Sequence, residues 1–156
     1  MPTDDDQKQP IILAVDDAPA NIDVVKGILS EEYFVQAAIN GQMALKIAKR
    51  KQPDLILLDI IMPEMDGFEV CRQIKAHPNT RDVPVIFVTG QNSVMDEAKG
   101  LMLGAVDFIL KPVEPKLLLS RIRVHLNQRK RWLVRERELL TRITQLEHEV
   151  ASLKSR

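Results

Sequence analysis

The chain has 156 residues, enough for one domain of ordinary size plus an appendage. Lys and Arg total 22 and so do Asp and Glu, which removes any bulk-charge argument for nucleic acid or a membrane surface as the main partner. Hydrophobic residues make up 45% and aromatic residues 4%, so the core is aliphatic; Cys71 is the only cysteine, which excludes an internal disulfide and a thiolate metal cluster and, with no apolar leader or spanning segment, points to the cytoplasm.

Residues 1–9 read as a disordered leader carrying Asp4, Asp5 and Asp6. Ile11 to Val15 form a short continuous apolar run, the mark of a strand buried on both faces. Ile22, Val25, Ile28 and Leu29 then recur at helical spacing. Residues 33–38 read as a strand, followed by a helix through Met43, Ala44, Ile47 and Ala48 that stops near Pro53. Leu55 to Leu58 make a third strand, and Phe68, Val70, Cys71 and Ile74 mark a helix ending before Pro78. Residues 85–88 are a strand, 93–103 a helix closed by Gly104, and 106–110 a last strand. A helical pattern starts after Pro115 and continues to the end with neither Gly nor Pro from Leu117 onward; as one helix it would be about 60 Å long.

Strand and helix therefore alternate five times. This predicts an α/β fold: a flavodoxin-like, doubly wound parallel sheet of five strands with helices on both faces. In such sheets ligands sit outside the carboxyl ends of the strands. Asp16 and Asp17 follow the first strand, Asp59 the third, Thr89 the fourth and Lys111 the fifth, so residues far apart in the chain converge on one rim. Three carboxylates that close repel one another, and a hard divalent cation removes the conflict. Oxygen-only ligation suits Mg²⁺, and no His or Cys cluster competes for a softer metal.

A cation, an ammonium and a hydroxyl around one carboxylate are what phosphoryl transfer requires, and an Asp can itself be the nucleophile. Asp59, on the central strand of the chain order, is the candidate. Each residue alone has a plainer explanation. Asp16 and Asp17 could cap the first helix, with Pro19 early in it. Thr89 could be a strand-end hydroxyl and Lys111 a solvated lysine, and Met62-Pro63 and Asp66-Gly67 suit ordinary turns. Their coincidence at four strand ends of five favours the chemistry.

Four motifs carry a resemblance: Val15-Asp16-Asp17, Leu58-Asp59 through Gly67, Val88-Thr89-Gly90, and Gly104 through Pro112. In this order and spacing, over residues 10–128, the chain resembles the receiver domain of bacterial two-component response regulators. The resemblance implies that Asp59 accepts phosphate from a kinase phosphohistidine. It implies Mg²⁺ ligation by Asp17 and Asp59, by Asp16 largely through water, and by the Ile61 carbonyl. Lys111 becomes the phosphate counter-ion, joined to Pro112 by a bond that is commonly cis in the family. Thr89 becomes the switch hydroxyl and Phe108 the switch aromatic. Family members tune phosphate lifetime at the positions of Ile61 and Gln91, and an apolar Ile61 offers no help to an attacking water.

Past the receiver, residues 129–156 read as a helical extension. A heptad frame places Ile122, Arg129, Glu136, Ile143 and Val150 at a, and Leu118, His125, Trp132, Leu139, Leu146 and Leu153 at d. The seam is clean from Leu139 through Ile143, Leu146 and Val150 to Leu153, and β-branched a with Leu at d favours a parallel dimer. Arg142 would face Glu147 of a partner, and Glu149 would face Lys154. A single amphipathic helix folded back on the receiver is the plainer alternative. The basic cluster Arg129, Lys130, Arg131, Arg135 and Arg137 reads as a solvated helix face, and His125 and His148 as surface residues.

Implied partners are a histidine kinase or phosphotransfer protein, a second copy of the chain, and an output domain of cyclic-di-GMP turnover or histidine-kinase type. No helix-turn-helix pattern follows the receiver, so DNA binding has no direct support. A Mg²⁺-dependent phosphohydrolase with an Asp nucleophile is the alternative function. It would want a second acid two residues after Asp59, where Ile61 stands. An FMN site is excluded by the carboxylates of the first βα turn, where phosphate would have to sit. A phosphorylation-independent scaffold is disfavoured by the complete set of rim residues.

Overall fold

The five apolar runs become five parallel strands, each returned to the sheet edge by a helix. The computed structural model describes residues 8–90 and 94–155. In chain order the elements are β1 (Ile11–Val15), α1 (Pro19–Leu29), β2 (Phe34–Ala38), α2 (Gly41–Arg50), β3 (Leu55–Leu58), α3 (Gly67–Ala76), β4 (Val85–Thr89), α4 (Val94–Met102), β5 (Asp107–Leu110) and α5 (Pro115–Lys154). The strands lie in the order β2-β1-β3-β4-β5, so the direction of winding reverses between β1 and β3. In a sheet of this kind the crevice outside that reversal is where ligands bind.

The side-chain alternation of each strand divides the core in two. Leu13, Ile56, Leu58, Val85 and Phe87 pack under α2 and α3, against Ala44, Leu45, Phe68, Val70 and Ile74. Ile12, Leu55, Leu57, Ile86 and Ile109 pack on the other face, against Leu29 of α1 and Leu118 and Ile122 of α5. Strands buried on both sides have no polar face to display, which is why β1, β3 and β4 read as continuous apolar runs. Tyr33 stands just before β2, not in it, and is buried in the α1–α5 half of the core. Cys71 is buried in the α2–α3 half, and burial pushes its thiol up to about 11, which leaves it protonated and unreactive at neutral pH.

The helix ends follow their local chemistry. Asn40 and Asp66 cap α2 and α3, their side-chain oxygens accepting the N–H groups of Met43 and Glu69. Glu114 does the same for α5, through the N–H of Leu117, with Pro115 in the first turn. Gly104 follows α4 with φ of 105°, a conformation that favours glycine.

Helix α5 runs unbroken through 40 residues. Its first turns belong to the core, with Leu118 and Ile122 fully buried. Further along, Arg129 donates from Nη1 to the carbonyl of Asp54 at 3.1 Å, at the foot of β3. Every described residue from Arg131 onward is exposed, so the extension does not fold back on the sheet. His125, expected on the surface, is instead half-buried, with Nε2 2.9 Å from Oδ2 of Asp107. The helix turns that side chain toward β5, a contact that no local spacing announces. No helix among the described residues is long and apolar enough to cross a membrane.

Candidate functional site

β1 and β3 are paired in register so that Val15 lies beside Leu58, and the next residue of each strand is an aspartate. The N–H of Asp59 donates to the Val15 carbonyl at 3.0 Å, extending the pairing to the point where both carboxylates emerge. Asp16 and Asp59 are buried and Asp17 is exposed. One oxygen from each of these three carboxylates lies within 4.8 Å of the others. Sharing a Mg²⁺ at about 2.1 Å would require ligand oxygens no more than ~4.2 Å apart, so the three need close only slightly. The donors are all hard oxygens, which fits that ion and not a softer one.

Lys111 reaches the same point from β5. Its Nζ donates to Oδ2 of Asp16 at 2.6 Å and to Oδ2 of Asp59 at 3.3 Å, across 95 and 52 residues of sequence. Burial works against the ammonium charge, but the hydrogen bond to Asp16 and the negative charges of Asp59 and Asp16 outweigh it, and the pKa of Lys111 rises above its ordinary value. The Lys111–Pro112 bond is cis. The remaining carboxylate oxygens are also held. Oδ1 of Asp59 accepts the Ile60 N–H at 2.8 Å, and Oδ1 of Asp16 accepts the Ala18 N–H at 2.9 Å and the Asn21 amide at 3.3 Å. Ala18, not Asp16 or Asp17, is the N-cap residue of α1, so the capping alternative accounts for only part of what Asp16 does.

The other expected site residues take different places. Thr89 is the last residue of β4 and is fully buried, and its carbonyl accepts the Lys111 N–H at 2.9 Å. Phe108, on β5, is half-buried, with its ring centroid 6.2 Å from that of Phe87. Ile61 points outward and is 57% exposed. Gln91 lies outside the described residues.

Two contributors carried no chemical signal in the sequence. Asn21 reads as an ordinary residue in the first turn of a helix. Gly67 reads as turn chemistry, yet a Cβ there would lie 2.1 Å from the Asp59 carbonyl oxygen and 2.8 Å from the Ile60 Cα. Gly67 N–H donates to the Ile60 carbonyl at 2.7 Å, closing the loop that starts at Asp59. The start of α3 is thus pressed against the backbone that carries the central carboxylate. Only a glycine permits that approach.

A doubly wound sheet whose carboxyl edge sets clustered aspartates against a strand-end lysine has the architecture of an aspartate-phosphorylated signalling domain. Comparison with known proteins gives the same class. Residues 12–123 match the response regulator receiver domain family. The chain is 47% identical over 126 residues to "Probable cyclic di-GMP phosphodiesterase" of Vibrio cholerae serotype O1, covering 81% of this chain and 29% of that protein. It is 45% identical over 113 residues to "Response regulator PleD" of Caulobacter vibrioides, covering 72% of this chain and 25% of that protein. The solved CheY-like response regulator receiver domain protein from Methanospirillum hungatei superposes with a TM-score of 0.74 at 34% identity, over 80% of this chain and 98% of that one.

The chain belongs to the response regulator receiver family. It is a phosphorylation-activated signalling receiver, and it spans 29% and 25% of the lengths of the two curated relatives.

The Gly67 contact can be tested directly. Gly67→Ala should lower stability by about 1–3 kcal/mol, read as a lower urea midpoint, because the new methyl must displace main chain. Gly27→Ala, in the middle of α1 with nothing within 4 Å of the new methyl, should instead raise the midpoint. Equal midpoints for the two variants would show that the loop at Asp59 gives way freely.

Proposed function

We propose that Asp59 is the phosphoacceptor, and that its carboxylate takes the phosphoryl group from a phosphohistidine of a histidine kinase or phosphotransfer protein. A carboxylate oxygen attacks phosphorus, the P–N bond breaks with its electron pair going to the imidazole nitrogen, and an acyl phosphate forms. The observation that carries this reading is the meeting of Lys111 with Asp16 and Asp59 at the carboxyl edge. Asp16, Asp17, Asp59 and the Ile61 carbonyl would hold Mg²⁺, which when bound supplies positive charge for the phosphoryl oxygens. Lys111, already aimed at Asp59, serves as the second positive group. Thr89 on β4 and Phe108 on β5 act as the switch pair that answers the new charge. The chain's chemistry is limited to its own phosphotransfer and dephosphorylation.

The receiver proper takes residues 10–128, and residues 129–156 form the signalling extension. Leu139, Ile143, Leu146, Val150 and Leu153 are all exposed on α5 and form the seam of a parallel homodimer. Two to three heptads are marginal alone, so the receivers contribute to the association. The extension leads toward an output module of cyclic-di-GMP turnover or histidine-kinase type. Support comes from the relatives, which extend well beyond the matched region, one of them named as a cyclic di-GMP phosphodiesterase. A kinase-coupled receiver of this kind acts in the cytoplasm.

Labelling with acetyl phosphate tests the site. Wild type should incorporate one phosphoryl group per chain with Mg²⁺ and none in EDTA, and Asp59→Asn should incorporate none; labelling that survives in Asp59→Asn would remove Asp59 from the mechanism. The decay of the same label tests Ile61, whose exposed apolar side chain leaves water without a hydrogen-bonding guide. Ile61→Asn should shorten the lifetime several-fold, and an unchanged lifetime would sink the idea. Light scattering tests the seam. Wild type should run at twice the chain mass at high concentration, and Ile143→Asp with Leu146→Asp at the chain mass. A monomeric wild type would dispose of the coiled coil.

A further inference from the structure

The amino end of the sheet, opposite Asp59, carries a second concave site. It is a groove of about 490 Å³ between the segment entering β1, the foot of β3 and the side of α5 that faces them. Its rim holds Lys8, Lys51, Arg123, Arg129 and Lys130, and its floor holds Ile11, Leu126 and Leu133. Asp54 is the one carboxylate in the described lining, and its Oδ2 already accepts the Ile11 N–H at 2.7 Å. β3 alone separates Asp54 from Asp59, roughly 16 Å at about 3.3 Å per residue, so the groove is distinct from the acidic site.

Among the described residues the positive charge there is poorly compensated. Arg123 shares its guanidinium with Glu32 at 3.3 Å on an exposed surface, where such a pair is weak. The ammonium groups of Lys8, Lys51 and Lys130 make no ion pair or hydrogen bond among the described residues. Arg129 is partly buried and donates to the neutral carbonyls of Pro53 and Asp54. Burial pushes its guanidinium below its ordinary pKa, and the charges of Asp54 and Asp82 only partly offset this.

The geometry points to a binding site for a phosphate-bearing small molecule of nucleotide size, with at least two phosphates against the cations and its ring system against Ile11, Leu126 and Leu133. The volume falls within the ordinary range of about 300–1,000 Å³ for ligand pockets. An isolated phosphate would leave most of it empty. The concavity suits a discrete ligand better than a flat bilayer or a duplex. Such a ligand would tie Arg123, Arg129 and Lys130 of α5 to Lys8 ahead of β1 and Lys51 at the end of α2, just where α5 leaves the core. It would therefore stiffen the root of the extension independently of the state of Asp59.

The test titrates ADP into the full chain in EDTA, by calorimetry, with pyrophosphate, anionic phosphatidylglycerol vesicles and a single-stranded oligonucleotide as parallel probes. ADP should bind at one saturable site that weakens with added salt, unchanged in Asp59→Asn and at least tenfold weaker in Lys51→Glu/Lys130→Glu. Acetyl phosphate labelling of that double variant should remain at the wild-type level, which shows that it is folded. Pyrophosphate should bind more weakly than ADP, since it leaves the apolar floor uncovered. Absence of saturable ADP binding, or equal ADP binding in the double variant, would overturn the proposal. So would pyrophosphate binding as tightly as ADP, or retention of the chain by vesicles or oligonucleotide that ADP does not displace.

Discussion

The ammonium of Lys111 between Asp16 and Asp59 is the constraint on which the carboxyl edge depends. The pairing of β1 with β3 delivers both carboxylates to one place, and Asp17 adds a third within reach. Left alone, that concentration of like charge would oppose the pairing that creates it. Lys111 offsets it from the far end of β5, where four residues of strand carry its backbone to the same rim. The surrounding contacts follow from this arrangement. The Ile60, Ala18 and Asn21 donors fix the carboxylate orientations, and Gly67 lets α3 begin against the loop that follows Asp59. An anionic group arriving at this edge would meet a lysine already partly buried and aimed at Asp16 and Asp59, so little reorganisation is needed.

The long α5 lives in two environments. Up to Ile122 it is part of the core, and beyond Arg129 it is a free helix with an apolar stripe. The junction is anchored at the foot of β3 by the Arg129 bonds to main-chain carbonyls, while the other end of β3 carries Asp59. Further up the helix, Asp107 receives His125 and Arg121 on one oxygen and the Phe108 N–H on the other. The residue beside Phe108 is therefore tied directly to α5. Two sets of hydrogen bonds thus join α5 to the sheet, one at the foot of β3 and one at β5.

The fold was legible because the central strands β1, β3 and β4 are buried on both sides and the helices packed on them are apolar on one. Continuous runs such as Leu55 to Leu58 and spaced residues such as Phe68, Val70, Cys71 and Ile74 leave little choice of element. The misplacements are small and have physical reasons. Tyr33 has strand character but is buried just before β2, in the half of the core under α1 and α5. Within the site, the charged residues were legible because a carboxylate or lysine at the end of an apolar run needs a partner. Asn21 and Gly67 were not. An amide in a helix and a glycine in a turn are common, and only the approach of another segment gives them a role. His125 escaped for the same reason, since its partner Asp107 lies on a different element 18 residues away.

The sequence by itself determined the order of strands and helices, the acidic and basic residues at the strand ends, and the apolar stripe that continues past the receiver. These depend on local periodicity and on what each side chain costs to bury, both written in consecutive residues. The tertiary structure alone decided that Lys111 pairs more closely with Asp16 than with Asp59, that Gly67 must be a glycine, and that Lys8, Lys51 and Arg129 share one groove. Such facts are distances between segments far apart in the chain, fixed by the register of a parallel sheet and the crossing of helices over it, and no local pattern records them.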